Sequence, residues 1–216
     1  MAGISRTNIS KYLGVLRELG YVEREVPATV RRPEKSRQGR YVITDAYTRF
    51  YFRFLQPHLA DIAQGRVKQA TSVLYDHLLD FIGTHTFEEL CREWVSIVAE
   101  MDEFPFLPER VGSFWSRQAQ VDVLAINWRT KDILLGECKW GQKPVGREVI
   151  QALINKTDKV LPGSASWQVH YAFFARQGFT EAARALAAEH NSLLVTLTQI
   201  EADMQRWLQR QRREAG

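Results

Sequence analysis

Hydrophobic and polar positions follow two different rhythms along the chain. At the start, Ile9, Leu13, Leu16 and Leu19 fall at helical spacing, and Gly20 stands where a helix C-terminus favours glycine. Alternation replaces that spacing over residues 21–26 and again over 40–45, with a loop rich in arginine and proline between them; this predicts a two-stranded hairpin with a basic tip. An aromatic stretch follows (Tyr47, Phe50, Tyr51, Phe52, Phe54) and Pro57 closes it. Helical spacing then runs over 58–82, and beyond Gly83 a strongly amphipathic helix is predicted over 87–98. The rest alternates short apolar runs with helical patterns. Strands are predicted at 110–115, 121–126, 133–138, 169–175 and 193–198, and helices at 147–160, 180–190 and 202–213. That order argues an α/β fold with one sheet and helices on both its faces.

Composition narrows the class without fixing a function. The 216 residues suffice for one ordinary domain and a smaller one, and 45% hydrophobic with 25% charged residues is the balance of a globular chain. A net charge of +4 is compatible with nucleic acid but does not require it. No apolar run approaches the ~18 residues of a membrane span and no signal-peptide pattern opens the chain, so a cytoplasmic protein with no membrane partner is expected. Cys91 and Cys138 lie in apolar-periodic stretches and read as small buried hydrophobes in a reducing compartment. The five histidines lack metal-ligand spacing and no Gly-x-Ser-x-Gly elbow occurs, so zinc chemistry and serine hydrolysis are unsupported.

The chemistry concentrates on two neighbouring predicted strands. Residues two apart on a strand share a face, so Glu137 and Lys139 project together while Cys138 packs behind. Asp122 interrupts the apolar run Val121-Asp122-Val123-Leu124-Ala125, where aspartate is disfavoured. A hairpin turn over 127–132 pairs the strands and brings Asp122 beside Glu137. Two carboxylates so placed repel unless a cation lies between them, and few hard oxygen donors suit Mg²⁺ or Mn²⁺. A lysine beside such a cation orients the attacking water or steadies charge on a phosphate. The plainer reading of Glu-x-Lys, a solvated strand edge, competes with this one.

The first helix and hairpin have the form of the back half of a winged helix, a truncated winged helix-turn-helix. Too few residues precede Ile9 to supply the helices that cover its apolar face, so the expectation is either that the chain is a fragment of a longer protein, or that another chain (a homodimer, for instance) or the second domain covers that face. Arg24, Arg31, Arg32, Lys35, Arg37 and Arg40 face only Glu25 and Glu34 in the hairpin region. Of these, Arg31, Arg32, Lys35, Arg37 and Arg40 are expected to meet DNA phosphates, and Arg6, Thr7, Asn8, Ser10 and Lys11 the major groove. The expected organisation is a partial winged-helix DNA-binding region over 1–57, a helical linker over 58–85 and a nuclease-like domain over 86–216.

Asp122, then Glu137-Cys138-Lys139 on the next strand, then a helix carrying Gln151, resembles the PD-(D/E)xK superfamily. More closely, the chain resembles the C-terminal region of archaeal-type P-loop ATPases, in which a winged helix and a nuclease-like domain follow the ATPase. The stretches that carry this are Gly39-Arg40-Tyr41 through Phe54, Phe87-Glu88-Glu89-Leu90-Cys91-Arg92-Glu93, Arg110-Val111-Gly112 through Trp115, and Gly136-Glu137-Cys138-Lys139-Trp140. The resemblance implies a restriction-endonuclease-like mixed sheet flanked by helices. It further implies metal ligation by Asp122 and Glu137, Lys139 at the water, and support from Glu88, which flanks the apolar face of its helix, and from Gln151. The implied activity is Mg²⁺- or Mn²⁺-dependent hydrolysis of DNA phosphodiesters. The alternative is a non-catalytic DNA-binding or regulatory module of an archaeal-type ATPase system. Two departures bear on this. Gln120 stands where the family commonly has an acid, and no Gly-x-x-x-x-Gly-Lys-[Ser/Thr] occurs, so any P-loop ATPase partner is expected to be encoded separately or upstream.

Overall fold

A computed structural model describes residues 6–163 and 165–214, apart from the side chains of residues 6, 7, 69 and 70. It comprises two compact units, one of Met1–Val26 with Arg32–Leu78 and one of Pro27–Arg31 with Leu79–Gly216.

In the first unit α1 (Arg6–Glu18) ends at Gly20, whose φ of 76° lets the Tyr21 amide reach back to the Leu16 carbonyl at 2.9 Å. β1 (Val22–Glu25) and β2 (Arg40–Ile43) then pair antiparallel, from Val22 opposite Ile43 to Glu25 opposite Arg40. Arg24 is turned into the intervening loop, donating to the Pro33 carbonyl at 3.0 Å and to that of Ser36. Asp45 caps α2 (Ala46–Phe50) by accepting from the Thr48 amide at 2.6 Å; the Thr48 hydroxyl first, and then that amide, lower its carboxyl below the usual aspartate value. A π-type turn over Tyr51–Leu55 and a 3-10 turn over Gln56–His58 lead to α3 (Leu59–Ala63) and α4 (Val67–Phe81). The single helix expected over 58–82 is thus two, divided at Gly65 with φ 74°. Ile9, Tyr12 and Leu16 of α1, and Leu19 just after it, are exposed.

The second unit contains α5 (Glu88–Glu100), β3 (Arg110–Trp115), β4 (Gln120–Asn127), β5 (Asp132–Lys139), α6 (Arg147–Ile154), β6 (Gln168–Ala175), α7 (Glu181–Glu189), β7 (Leu193–Thr196) and α8 (Leu197–Glu214). The five strands form one mixed sheet in the order β3-β4-β5-β6-β7; the first three are antiparallel neighbours and the last two pairings are parallel. Strand alternation sends Leu124, Ile126, Ile133, Leu135 and Phe173 into a core with Ile150, Leu153 and Leu186 of α6 and α7. Val123, Ala125, Leu134 and Phe174 point the other way, against Cys91, Trp94 and Val98 of α5 and Ile200 of α8. The α/β sheet with helices on both faces is therefore as the sequence order predicts.

Several boundaries differ from the sequence pattern, for local reasons. No break occurs at Gly83: a π-type turn over Ile82–Phe87 carries the backbone helically into α5. Helix 147–160 stops at Ile154 and gives way to a 3-10 turn over Thr157–Lys159. The last helix begins at Leu197 instead of 202, because the Thr196 hydroxyl accepts from the Gln199 amide at 3.2 Å and starts it early. Residues 27–31, expected within the basic loop, belong to the second unit: Ala28 donates to the Ser113 carbonyl at 2.8 Å. Among the described residues, no helix is long and apolar enough to cross a membrane.

Candidate functional site

The β4–β5 hairpin turns between Asn127 and Asp132, and its register runs to Val123 opposite Gly136. The ladder ends there, next to Asp122 on β4 and Glu137 on β5, and β4 is irregular over residues 122–123 in its pairing with β3. There the Cys138 amide donates to Asp122 Oδ2 at 3.0 Å, a side chain taking the place of the strand carbonyl. From α5, Arg92 donates to the Asp122 carbonyl at 2.8 Å and pairs with Glu88 at 3.6 Å. Burial and then the negative charge of Glu137 raise the Asp122 carboxyl above the ordinary aspartate value. Its Oδ1 accepts no hydrogen bond among the described residues.

Glu137 is held between two ammonium groups. Lys139 Nζ lies 2.7 Å from Oε1 and Lys156 Nζ 3.2 Å from Oε2, and Lys156 also donates to the Gln120 carbonyl at 3.3 Å. Burial alone lowers the Lys139 pKa, but its bond to Glu137 and the Glu137 and Asp122 charges outweigh that and raise it above the usual lysine value. Lys139 is therefore an ammonium at neutral pH, suited to steadying negative charge and unsuited to accepting a proton. Cys138 packs behind, its thiol raised well above the ordinary value by burial and by Cys91 beside it.

A cleft of about 460 Å³ opens beside Asp122, and Glu88, Thr84, Lys139, Trp140 and Gln142 complete its working wall. The π-type turn presents Thr84 to it, and Glu88 follows as the first residue of α5. Gly83 permits the close approach: a Cβ there lies 3.0 Å from the Trp140 Cβ. The Trp140 ring stands 5.1 Å from Phe87 and carries the Arg176 guanidinium at 4.8 Å.

Of the residues the sequence singles out, Asp122, Glu137 and Lys139 are brought together and Glu88 joins Asp122 at the cleft. Gln151 is not: its amide donates to Asn155 Oδ1 at 3.1 Å and it lies outside the cleft lining. Glu137 also lies outside that lining, with both its oxygens engaged by lysines. Arg92 and Trp140 lie in stretches that carry the family resemblance but are given no site role by the sequence, and Lys156 is not singled out at all. Their contacts span long separations that no periodicity records, and Lys156 comes into place because α6 ends early. Among the described residues no group of three or more His, Cys, Asp and Glu side chains gathers as a metal cluster.

In the basic set, Asn8, Lys11, Arg32, Lys35, Arg37 and Arg40 are exposed in the first unit, Arg40 paired with Glu25 at 3.0 Å. Arg31 lies in the second unit. The side chains of Arg6 and Thr7 lie outside the described residues.

Asp122 carries a stability prediction. With its pKa higher in the folded state than unfolded, the folded chain binds this proton more tightly. The group's stabilising contribution is present below the unfolded value and is lost as pH rises through the folded one. Asp122→Asn is therefore expected to raise the Tm of the cation-free protein at neutral pH and to leave it nearly unchanged in strong acid, as read by thermal denaturation in EDTA.

Fold and site together define a mixed α/β unit with a carboxylate–lysine cluster at one end of two central strands. Residues 51–152, which include that cluster, match a family described as archaeal and bacterial proteins of unknown function (DUF234). An uncharacterized protein of Methanocaldococcus jannaschii is 32% identical over 139 residues, 64% of this chain. The chain spans 30% of the length of that relative. No solved structure gives a significant match.

Proposed function

We propose that the second unit is a PD-(D/E)xK nuclease-like domain that hydrolyses DNA phosphodiesters with Mg²⁺ or Mn²⁺, and that the first unit holds the DNA through a winged-helix-like helix and hairpin. The observation that supports this reading is the convergence of Asp122 and Glu137 from neighbouring strands where their ladder ends, near enough for the Glu137 charge to act on Asp122, with Lys139 2.7 Å from the Glu137 carboxylate. The donor set fits a hard cation. Asp122 Oδ1 is uncommitted; burial is the main cause of its raised pKa, and the lesser cause, repulsion from Glu137, is one that a divalent ion would relieve. Asp122 and Glu137 would hold the ion, which would supply polarisation of a phosphate oxygen and an attacking water. Lys139 neutralises charge on the phosphoryl oxygens, Lys156 orients Glu137, and Arg92 fixes both the Asp122 backbone and Glu88. The resemblance to archaeal-type ATPases, with a relative much longer than this chain, supports a separately folded P-loop ATPase as partner, in the cytoplasm.

The test is nicking of supercoiled plasmid. We expect cutting with Mg²⁺ or Mn²⁺ and none in EDTA, and a loss of at least about a hundredfold in Glu137→Ala and in Lys139→Ala at unchanged circular dichroism. Cutting that persists in both variants would contradict it.

Two observations favour a second reading, a DNA-bound scaffold without catalysis: Gln120 offers no third carboxylate, and Lys156 engages the second oxygen of Glu137. The two readings diverge on Lys156. If Glu137 ligates a cation, Lys156→Met removes a nearby like charge and lowers the Mn²⁺ concentration for half-saturation roughly fivefold, the effect of a solvent-screened term of ~1 kcal/mol. An unchanged Mn²⁺ requirement favours the scaffold.

A further inference from the structure

The other end of the β4–β5 hairpin, roughly 20 Å along β4 from Asp122 at ~3.3 Å per residue, borders a second cleft. It has a volume of about 520 Å³ and is lined by Arg31, Glu109, Arg110, Trp128 and Arg129. Three guanidinium groups therefore share a lining with a single carboxylate. Arg110 is fixed: its Nη1 donates to the carbonyls of Val30 and, at 3.5 Å, Ala28, and its guanidinium lies 5.0 Å from the centre of the Trp128 ring. Arg31 and Arg129 are exposed, and neither guanidinium has a hydrogen bond or ion pair among the described residues. Glu109 accepts from the Arg129 backbone amide at 3.3 Å. The hairpin that presents Arg129 is itself locked, because Asn127 Oδ1 accepts from the Arg129 and Thr130 amides at 2.9 and 3.0 Å.

We propose that this cleft is a second nucleic-acid contact, binding backbone phosphates through Arg31, Arg110 and Arg129. Uncompensated guanidinium groups brought to one cleft repel one another, and an anion placed among them relieves that repulsion. A phosphate suits them best, since each guanidinium offers a planar fork of donors matched to its oxygens. The cleft is open at Arg31 and Arg129, which suits a polymer backbone passing across it better than a small molecule enclosed on all sides. Arg110 covers the face of Trp128 and withholds it from base stacking, so contact is to phosphates and independent of sequence. The site stands apart from the acidic cluster and needs neither a cation nor cleavage.

The test uses the full chain in EDTA and a fluorescein-labelled duplex of mixed sequence, with anisotropy titrations over a range of KCl concentrations. Arg31→Ala/Arg129→Ala is compared with Arg212→Ala/Arg213→Ala, a pair on α8 that removes the same charge elsewhere. The first pair is expected to weaken binding about tenfold or more and to flatten the dependence of log Kd on log[KCl] by roughly 1.8, two phosphates at ~0.9 each. The α8 pair should move both far less. Equal effects from the two pairs, or no binding by the parent chain, would overturn the proposal. So would titration by inorganic phosphate that is lost in Arg31→Ala/Arg129→Ala while duplex binding is retained, because the cleft would then serve free phosphate. Duplex binding in EDTA that depends on Arg31 and Arg129 in a chain that nicks no plasmid would leave this site standing while the nuclease reading fails, so the two failures are separately visible.

Discussion

Asp203→Ala is expected to cost the second unit about 2–4 kcal/mol, a fall in Tm of roughly 5–10 °C for a chain of this size. Asp203 is 2% exposed on α8, and its Oδ2 accepts the indole N–H of Trp94 at 2.8 Å across the interface with α5. Its Oδ1 accepts from Gln199 at 2.8 Å and Arg206 at 2.6 Å. The Arg206 term is the smaller one, because that side chain is half exposed and also bonds Glu103 on the surface. The dominant cost is the Trp94 N–H, buried in the core and left without an acceptor. Asp203→Asn keeps an acceptor oxygen and should lose less than half as much. Urea denaturation followed by tryptophan fluorescence separates the two, and equal losses would show that charge, and not the Trp94 bond, is what matters.

Gly136→Ala is expected to destabilise by about 1–3 kcal/mol although it adds one methyl group. A Cβ at this position in β5 lies 2.9 Å from the Val123 Cβ, 3.2 Å from Phe174 Cε2 and 3.3 Å from the Val123 carbonyl oxygen. Val123 and Phe174 are both fully buried, so neither has space to withdraw into. The position also adjoins Glu137, so the displaced strand carries the site with it. Because the nearest clash is with the Val123 Cβ, which alanine keeps, Val123→Ala should not rescue Gly136→Ala. A Gly136→Ala loss below ~0.5 kcal/mol in urea denaturation, the size of an ordinary surface change, would argue against overpacking as the cause.

Much of the second unit is legible from strand alternation. Val123, Ala125 and Leu134 declare one face and Leu124, Ile133 and Leu135 the other, and the hairpin count from Asn127 to Asp132 gives the register as far as Val123 opposite Gly136. The helix of Phe87, Cys91, Trp94 and Val98 is equally plain from its spacing. What periodicity does not carry is any contact set by a turn or by distant segments. Gly83 reads as a helix breaker in isolation, but a π-type turn absorbs it and its missing side chain makes room for Trp140. Lys156 reaches Glu137 only because α6 stops at Ile154, and Arg31 leaves the expected basic loop because 27–31 is hydrogen-bonded beside β3. Gln151 was placed by family resemblance, and its bond to Asn155 is a local one along α6.

Whether Asp122 and Glu137 share one divalent cation is best settled by titrating Mn²⁺ into the metal-free chain and following the electron paramagnetic resonance signal of the free ion. The expected result is one saturable site per chain, displaced by Mg²⁺, lost in Asp122→Asn and in Glu137→Gln, and retained in Gln151→Ala. A chain that takes up no Mn²⁺, or that binds it equally well in both carboxylate variants, would contradict the assignment and leave the cluster as a lysine-neutralised strand end.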